Sequence, residues 1–354
     1  MIHQILAPEN LKSACSHLQK KGDSFGVDGM RLSQLPEYLE NNSSALINSI
    51  MDLSFRPGLV QEISYVDKKG KVRNISKFNS IDRMLLRAIH QILYPHLVSK
   101  FSKYSYVYFE GKSVMDAVRQ AALYIESGKT FTVDVDVEKF FDNISHHKLM
   151  ELLSFHGLDK ITKNLLSKFI KCKIVRDFEI KQKEKGLVQG SPLSPLLSNL
   201  YLHEADSFFH DKGYSFCRYA DDIKLFVSSY EEGLEQLHDV KQFLEKELML
   251  NIHPKKSGVF PAIDRPYLGY QFYEFPNGKI EIKKKTLKAR TNIYNWKATA
   301  LQKINGEYHI FADGILTQKD FSLLFENPEK KVHLPVMNTE CLSIYSDIEY
   351  SVLS

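Results

Sequence analysis

The sequence has few cysteines and no long hydrophobic run. Its 354 residues include only four cysteines, far apart and without a C-x-x-C pair: Cys15, Cys172, Cys217 and Cys341. This distribution argues against a disulfide framework or a zinc site and favours a reducing, cytoplasmic environment. No stretch approaches the ~18 apolar residues that would span a membrane, and the N-terminus lacks the basic start and apolar segment of a signal peptide. The composition, 43% hydrophobic and 25% charged, is that of an ordinary globular protein.

The sequence also has little excess charge, since its formal net charge is only +4. The positive residues are nevertheless concentrated in two tracts, at 68–73 and 279–297. Each tract has two interpretations, a solvated and charged helix face or a basic surface that follows nucleic-acid phosphates. In the second tract, Tyr294 and Trp296 could add stacking on bases or sugars.

Hydrophobic periodicity predicts a mixture of strands and helices. Strands are predicted at 59–66, 131–137, 217–227 (a hairpin) and 266–275, and helices from 80, within 146–172 (two helices), at 193–208 and at 231–249. The helix from 80 is expected to end near Pro95, and Asp142 and Asn143 are expected to cap the helix that follows them. This order is a split βαβ pattern, which predicts an α+β fold with an antiparallel sheet and helices on one face.

Two adjacent carboxylates, Asp221 and Asp222, interrupt the apolar hairpin sequence CRYADDIKLFV. A simple turn would explain them, because Asp tolerates turn geometry. A bound cation is the alternative explanation, because it would compensate two like charges placed side by side.

The strand sequence FTVDVDV supplies further carboxylates. Asp134 and Asp136 lie on one face of this strand, because residues two apart share a face. If the strand lies beside the hairpin, Asp136 meets Asp221 and Asp222, and three such anions need a compensating cation. Hard oxygen ligands without His or Cys indicate Mg²⁺, and a pair of Mg²⁺ ions about 4 Å apart suits phosphoryl transfer. The spacing therefore favours metal-assisted nucleotidyl transfer.

Eight short blocks follow one another along residues 26–270. They are GVDGM, KVRNISKFNSIDRMLLRAI, EGKSVMDAV, DVDVEKFFDNISHH, GLVQGSPLSPLLSNLYL, YADD, NIHPKKSG and YLGY. In this order they resemble the blocks of reverse transcriptases, and the QGSPLSP sequence is similar to that of the group II intron-like branch. The chain resembles a stand-alone bacterial enzyme of that branch, such as the defence-associated or CRISPR-associated kind. The resemblance implies an RNA-directed DNA polymerase with a role in antiviral defence.

The resemblance also implies which residues form the active site. Two Mg²⁺ ions, for which Mn²⁺ could substitute, would be held by Asp136, Val137, Asp221 and Asp222. Lys256 would protonate the departing pyrophosphate, although the register of HPKKS leaves Lys255 as a rival. The incoming deoxynucleotide would be bound by Lys71, Arg73, Phe141, Gln189 and Gly190.

These nucleotide-binding residues have different expected tasks. The Phe141 ring would clash with a 2′-hydroxyl and so favour deoxynucleotides, unless it is simply a core aromatic. Arg73, assisted by Lys71, would grip the triphosphate through its bidentate fork. Gly190 would let the backbone approach the nascent base pair, because glycine has no Cβ. Asp134 has no counterpart in the family blocks, and we expect it to be a structural carboxylate.

The implied architecture is a right-handed polymerase. Fingers are expected at 1–125, palm at 126–145 and 187–275, a helical fingers/palm segment at 146–186, a basic thumb helix at 276–305 and an extension at 306–354. Thumb residues expected to contact nucleic acid are Lys284, Lys285, Lys288 and Arg290. The implied partners are a structured non-coding RNA as template, a DNA or RNA primer, deoxynucleoside triphosphates, and either an accessory protein or a second copy of the chain.

Two other functions stay open from the sequence. A polymerase on the same fold could work without a template or prime on its own protein, for which Tyr345, Tyr350 and Ser351 are candidates. A catalytically inactive relative could serve only as an RNA-binding scaffold. The intact carboxylates argue against the scaffold, because binding alone needs no metal cluster.

Overall fold

The chain divides into two compact units, Met1–Lys284 and Lys285–Ser354. The computed structural model describes residues 1–66, 70, 72–108, 111–176, 179–263, 265–284, 300–304 and 307–311, with the backbone alone at 65, 72, 73, 300–304 and 307–311. No helix in these ranges is long and apolar enough to cross a membrane.

Helices and strands alternate through the first unit. The helices are α1 Ile2–Ile5, α2 Pro8–Gln19, a 3₁₀ turn Leu32–Gln34, α3 Leu35–Met51, α4 Ser80–Val98, α5 Val114–Glu126, α6 Phe140–Asn143, α7 His146–Phe155, α8 Lys160–Ile170, α9 Ser194–Asp211 and α10 Tyr230–Lys246. The strands are β1 Val60–Val66, β2 Val72–Lys77, β3 Phe131–Asp136, β4 Lys173–Arg176, β5 Glu179–Gln182, β6 Ser215–Tyr219, β7 Asp222–Val227, β8 Gly258–Pro261, β9 Tyr270–Glu274 and β10 Ile280–Lys284. The second unit contributes the antiparallel hairpin β11 Ala300–Ile304 and β12 Glu307–Phe311. The α+β prediction is confirmed.

Side-chain caps begin several of the helices. In each case a short polar side chain accepts a backbone N–H of the first turn, which would otherwise lack a partner. These capping residues are Asn79, Ser113, Ser145, Asp159 and Ser229.

The central sheet has the strand order β6-β7-β3-β8 and is antiparallel throughout. Its register pairs Asp136 with Asp222 and Asp134 with Lys224. Val133 and Val135 alternate with these acids and are buried on the opposite face. Because a one-residue slip would exchange the two faces, this alternation fixes the register.

Helices cover both faces of the central sheet, so the expectation of helices on one face was wrong. Helix α10 contacts β3, β7 and β8, whereas α5 contacts β6, β7 and β10. On the α5 side, Cys217 and Phe226 join a core cluster that is separate from the one containing Val133 and Val135. The cause is visible in β7, where every residue from Ile223 to Val227 is buried. A strand whose residues are buried on both faces must pack against other elements on both sides.

Close packing of α10 depends on a glycine. A Cβ on Gly233 would lie 2.5 Å from a side-chain carbon of Val259 on β8. Gly233 therefore allows the helix to approach the sheet more closely than a larger residue would.

A second sheet lies outside the central one. It has the order β2-β1-β4-β5, with β1 antiparallel to β2 and parallel to β4. Strands β9 and β10 form a separate antiparallel pair. The predicted strands at 59–66 and 266–275 correspond to β1 and β9.

Two predictions about helix ends were wrong. Helix α4 continues past Pro95 to Val98, because Leu93 and Leu97 are fully buried and anchor its last turns. The cap of α7 is Ser145, whose side chain accepts the N–H of Lys148. Asp142 and Asn143 instead belong to the short helix α6.

The predicted basic thumb helix at 276–305 was also wrong where the structure describes it. Ile280–Lys284 is strand β10, and Ala300–Ile304 is strand β11. Ile280 and Ile282 pack against the α5-side cluster and alternate with Glu281 and Lys283, so the local pattern has the period of a strand. Of the four predicted contact residues, Lys284 ends β10, whereas Lys285, Lys288 and Arg290 lie outside the described residues.

Candidate active site

Three predicted carboxylates meet at one end of the central sheet. Asp136 is the last residue of β3 and Asp222 the first of β7, and the two are direct cross-strand partners. Asp221 precedes Asp222 in the turn from β6, next to Ala220, whose φ of 57° is left-handed. The hairpin and the strand therefore lie side by side, as the sequence predicted.

The electrostatics of Asp222 reflect this crowding. Its side chain reaches solvent at the end of the sheet, but protein surrounds it on most sides. Burial raises the pKa of Asp222 to about 6; Lys224 opposes the rise, and Asp134, Asp221 and Asp136 add to it. Concentrated negative charge of this kind suits a divalent cation.

The donor set fits a hard cation that also binds substrate. Among the described residues, no group of three or more His, Cys, Asp or Glu side chains forms a ready-made metal cage. The end of the sheet instead offers carboxylate oxygens on adjacent strands and in the adjoining turn. Mg²⁺ is commonly bound by one or two carboxylates together with water and substrate phosphates. The predicted ligands Asp136, Val137, Asp221 and Asp222 are thus compatible with Mg²⁺.

A lysine adjoins this group of carboxylates. Nζ of Lys256 lies 3.3 Å and 3.4 Å from the two carboxylate oxygens of Asp136. Its loop is fixed to the end of β3, because Ser257 Oγ accepts the N–H of Asp136 and the Asp136 carbonyl accepts the N–H of His253. Between the rivals Lys255 and Lys256, the geometry places Lys256 at the carboxylates.

The loop containing Gln189 and Gly190 crosses strand β2. The carbonyl of Gln189 accepts the N–H of Ser76 at 2.7 Å. Gly190 has φ of +107°, and a Cβ there would lie 2.8 Å from the Ser76 carbonyl oxygen, so both conformation and space require glycine. The loop therefore lies close to the strand that carries Arg73. The Arg73 side chain and all of Lys71 lie outside the described residues.

Phe141 lies beside the same loop. Its carbonyl accepts the N–H of Leu187 at 2.8 Å, and its half-buried ring meets Phe140 edge-on with a centroid separation of 5.4 Å. The structure thus brings Phe141 close to the Gln189–Gly190 loop, as binding of one nucleotide by both would require.

A buried ion cluster below the carboxylates was only partly foreseen. Asp134, expected to be structural, accepts from the Lys224 ammonium and from Nε of Arg265, the latter at 2.9 Å. Lys224 has only 3% of its side chain exposed. Sequence reasoning overlooked Lys224, although a lysine within the apolar run IKLFV indicates a buried partner.

A second overlooked group is the fully buried pair Arg218 and Asp206, which connects β6 to α9. The signal in the sequence was an arginine in the buried strand immediately before the YADD turn. Its carboxylate partner could not be identified from sequence, because α9 also contains Glu204 and Asp211 and no local pattern singles out Asp206.

Comparison with known proteins identifies the class. Residues 66–272 match the family described as "Reverse transcriptase (RNA-dependent DNA polymerase)". The match covers more than half of the chain and includes the three carboxylates and Lys256. The chain belongs to the reverse transcriptase family, and the predicted RNA-directed DNA polymerase class is confirmed.

Three individual matches are similar to different parts of this chain. Protein YkfC of Escherichia coli K12 is 25% identical over 299 residues, which are 73% of this chain and 78% of YkfC. Group II intron-encoded protein LtrA of Lactococcus lactis is 28% identical over 173 residues, 48% of this chain but only 28% of LtrA. A solved "Partial Cas6-RT-Cas1--Cas2 complex" is 25% identical with a TM-score of 0.43, covering 70% of this chain and 42% of its own. The chain therefore spans less than half of the length of the latter two.

Proposed function

We propose that this protein extends a primer 3′-hydroxyl with deoxynucleotides on an RNA template. The observation that carries the proposal is the cross-strand pair Asp136 and Asp222, with Asp221 adjacent in the turn and Lys256 at hydrogen-bonding distance from Asp136. Membership of the reverse transcriptase family supports the same conclusion.

In the proposed mechanism the carboxylates are the residues that would hold two Mg²⁺ ions. Mg²⁺ held by Asp136, Asp221, Asp222 and the Val137 carbonyl would supply positive charge that acidifies the 3′-hydroxyl and stabilises the leaving pyrophosphate. Lys256 neutralises Asp136 before substrate binds and offers its proton to the departing pyrophosphate. The Gln189–Gly190 loop and Phe141 enclose the base pair and sugar of the incoming nucleotide.

We assign the parts of a polymerase hand on the same basis. The central sheet would be the palm within 126–145 and 187–275, residues 1–125 would supply the fingers, and 146–186 would be a helical segment shared by fingers and palm. The second sheet would place Lys71 and Arg73 at the triphosphate. The basic tract after β9 would contact the template–primer duplex, although its described start is a strand.

The direct test of this function uses a defined RNA template. Purified protein with an annealed primer, deoxynucleotides and Mg²⁺ should extend the primer, and sequencing should return the complement of the template. EDTA should abolish synthesis. Products unrelated to the template, or covalently attached to protein at Tyr345, Tyr350 or Ser351, would instead support untemplated or protein-primed synthesis. Binding of RNA without any synthesis would support the scaffold.

A role in antiviral defence is a further proposal, which rests on the resemblance to stand-alone bacterial enzymes of this kind. Cells that express the wild-type chain should resist phage infection better than cells expressing Asp221→Ala. Equal plating of phage on the two strains would contradict the role while leaving the polymerase assignment intact.

A further inference from the structure

The catalytic turn is held from inside the protein by one arginine. Arg218, the residue before Tyr219 at the end of β6, has no exposed side-chain surface. Its Nε lies 2.7 Å from Oδ1 of Asp206 and its Nη2 lies 2.5 Å from Oδ2. A buried guanidinium is costly unless its donors are satisfied, and this bidentate arrangement satisfies two of them.

The third guanidinium nitrogen of Arg218, Nη1, reaches the turn itself. Nη1 donates to the carbonyl of Ala220 at 3.1 Å and to Oδ1 of Asn199 at 2.8 Å. Ala220 is in the left-handed conformation, which is unfavourable for a residue with a Cβ. Ala220 and Asp221 are the two residues that connect the end of β6 to the start of β7. The guanidinium therefore binds the turn at the peptide group that leads directly into the catalytic pair.

The other partners of Arg218 lie on α9 and in the segment 104–106. Asn199 and Asp206 lie on α9, which begins four residues after Gly190. The Arg218 backbone forms a bridge with 104–106, through N–H donation to the Tyr104 carbonyl at 2.9 Å and acceptance from Tyr106 at 2.9 Å. Although burial alone would favour the protonated acid, Arg218 holds the pKa of Asp206 below its ordinary value. The pair is therefore ionised and fixed.

We propose that Arg218 is a positioning residue for catalysis. It fixes the Ala220–Asp221 turn relative to α9 and to the Gln189–Gly190 loop, which precedes α9. This inference rests on the proposed polymerase function. It assigns to the buried Arg218–Asp206 pair a task beyond stability. The pair holds the backbone of Asp221 in position at the end of the sheet. Removing the pair should therefore slow the chemical step without weakening substrate binding.

The test separates positioning from stability with an apolar replacement. A buried ion pair can often be replaced by well-packed apolar residues without loss of stability. The double variant Arg218→Met/Asp206→Leu should therefore fold but leave the Ala220 carbonyl without its donor. Lys212→Met is the matched control, because it removes a surface ion pair just after the last residue of α9, between Lys212 and Asp239 at 3.0 Å.

Single-nucleotide addition, nucleotide affinity and template–primer affinity are measured for each variant. We expect the maximal rate of the double variant to fall roughly 10- to 100-fold, as for loss of one charged hydrogen bond at the catalytic turn. Affinities should change less than about threefold, and Lys212→Met should match the wild type. A double variant with the wild-type melting temperature and the wild-type rate would overturn the proposal.

A second variant decides the question if the double variant is unstable. Arg218→Lys keeps the charge opposite Asp206 but has a single nitrogen, which cannot serve Asp206 and Ala220 together. Measured below its melting transition, it should show the same selective loss of rate, and a wild-type rate would overturn the proposal. Failure of the polymerase function itself is distinguishable, because the wild type and Lys212→Met would then also be inactive.

Discussion

At the residue scale, carboxylates only two residues apart on β3 have different environments. Asp136 and Asp222 face the open end of the sheet, whereas Asp134 lies two cross-strand pairs further in and binds Lys224 and Arg265. The same residue type thus serves as a candidate metal ligand at one position and as an internal counterion two residues away. Substitutions at the two positions should therefore fail in different ways.

Asp134→Asn should lower stability, whereas Asp136→Asn should abolish synthesis with stability retained. Removing the Asp134 charge leaves the Lys224 ammonium buried without compensation, which costs about 3 kcal/mol. Thermal unfolding and primer extension of both variants measure the two effects. An Asp134→Asn variant with the wild-type melting temperature and no activity would mean that Asp134, not Asp136, holds the metal.

Phe141→Val should relax discrimination between ribo- and deoxynucleotides by opening space for a 2′-hydroxyl. The ring is half-buried beside the Gln189–Gly190 loop, so its truncation should affect the sugar site before it affects the core. Incorporation of the two nucleotide types on one template gives the ratio. An unchanged ratio would identify Phe141 as a core aromatic only.

Asp82 should make folding sensitive to pH. Burial raises its pKa to about 7, the Gly58 N–H opposes this as a donor to its carboxylate at 2.8 Å, and Asp28 adds to the rise. Between about pH 4 and pH 7 the folded state binds a proton that the unfolded state has released, so the free energy of unfolding should fall as the pH rises.

The variant Asp82→Asn checks this effect, because its side-chain oxygen can still accept from Gly58 but carries no charge. We expect its free energy of unfolding at pH 8 to exceed that of the wild type by on the order of 1–4 kcal/mol. Below pH 7, its free energy of unfolding should fall less steeply with rising pH. Denaturant unfolding across this range measures the slope, and the exposed Asp211→Asn serves as control. Identical pH profiles for Asp82→Asn and the wild type would contradict the account.

At the scale of elements, periodicity was sufficient where one face of an element dominates. It predicted β3, the pair α7 and α8, and α10 from apolar positions that repeat cleanly, whereas the hairpin β6–β7 was predicted from the two apolar runs that flank Asp221 and Asp222. It could not show that α5 covers the second face of the central sheet, since a strand buried on both faces reads as an unbroken apolar run. It also failed at Ile280–Lys284, where charge density obscured a strand alternation. Pairings such as Arg218 with Asp206 depend on tertiary contacts that no local pattern encodes.

The basic tract at 279–297 gives a prediction at the same scale. If it follows duplex phosphates, replacing Lys284, Lys285 and Lys288 with Gln should weaken binding to all duplex sequences about equally. The slope of log affinity against log salt should fall by roughly 0.7–0.9 for each lysine–phosphate ion pair that the substitutions remove. Product length should decrease more than single-nucleotide addition, because the carboxylates are untouched. A triple variant with the salt dependence and product length of the wild type would indicate that the tract is only a solvated surface.

At the scale of the whole molecule, all residues that the structure brings to the candidate site belong to the first unit, Met1–Lys284. They come from segments spread over more than 100 residues of sequence, from β3 to the loop that contains Lys256. The family blocks identified most of these residues in advance. The buried side chains that contact the site, such as Arg218 and Lys224, were identified only from the structure. Their partners depend on the register of the central sheet and on the position of α9.

The central claim is that Asp222 and its neighbours form a metal-dependent polymerase site. The most direct measurement is primer extension by Asp222→Asn against Asp211→Asn, an exposed carboxylate at the end of α9, with melting temperatures recorded for both. We expect both variants to retain the fold, Asp211→Asn to retain synthesis and Asp222→Asn to lose it by at least about 1000-fold, in keeping with loss of a principal charge-stabilising group. Wild-type synthesis by a folded Asp222→Asn would contradict the claim.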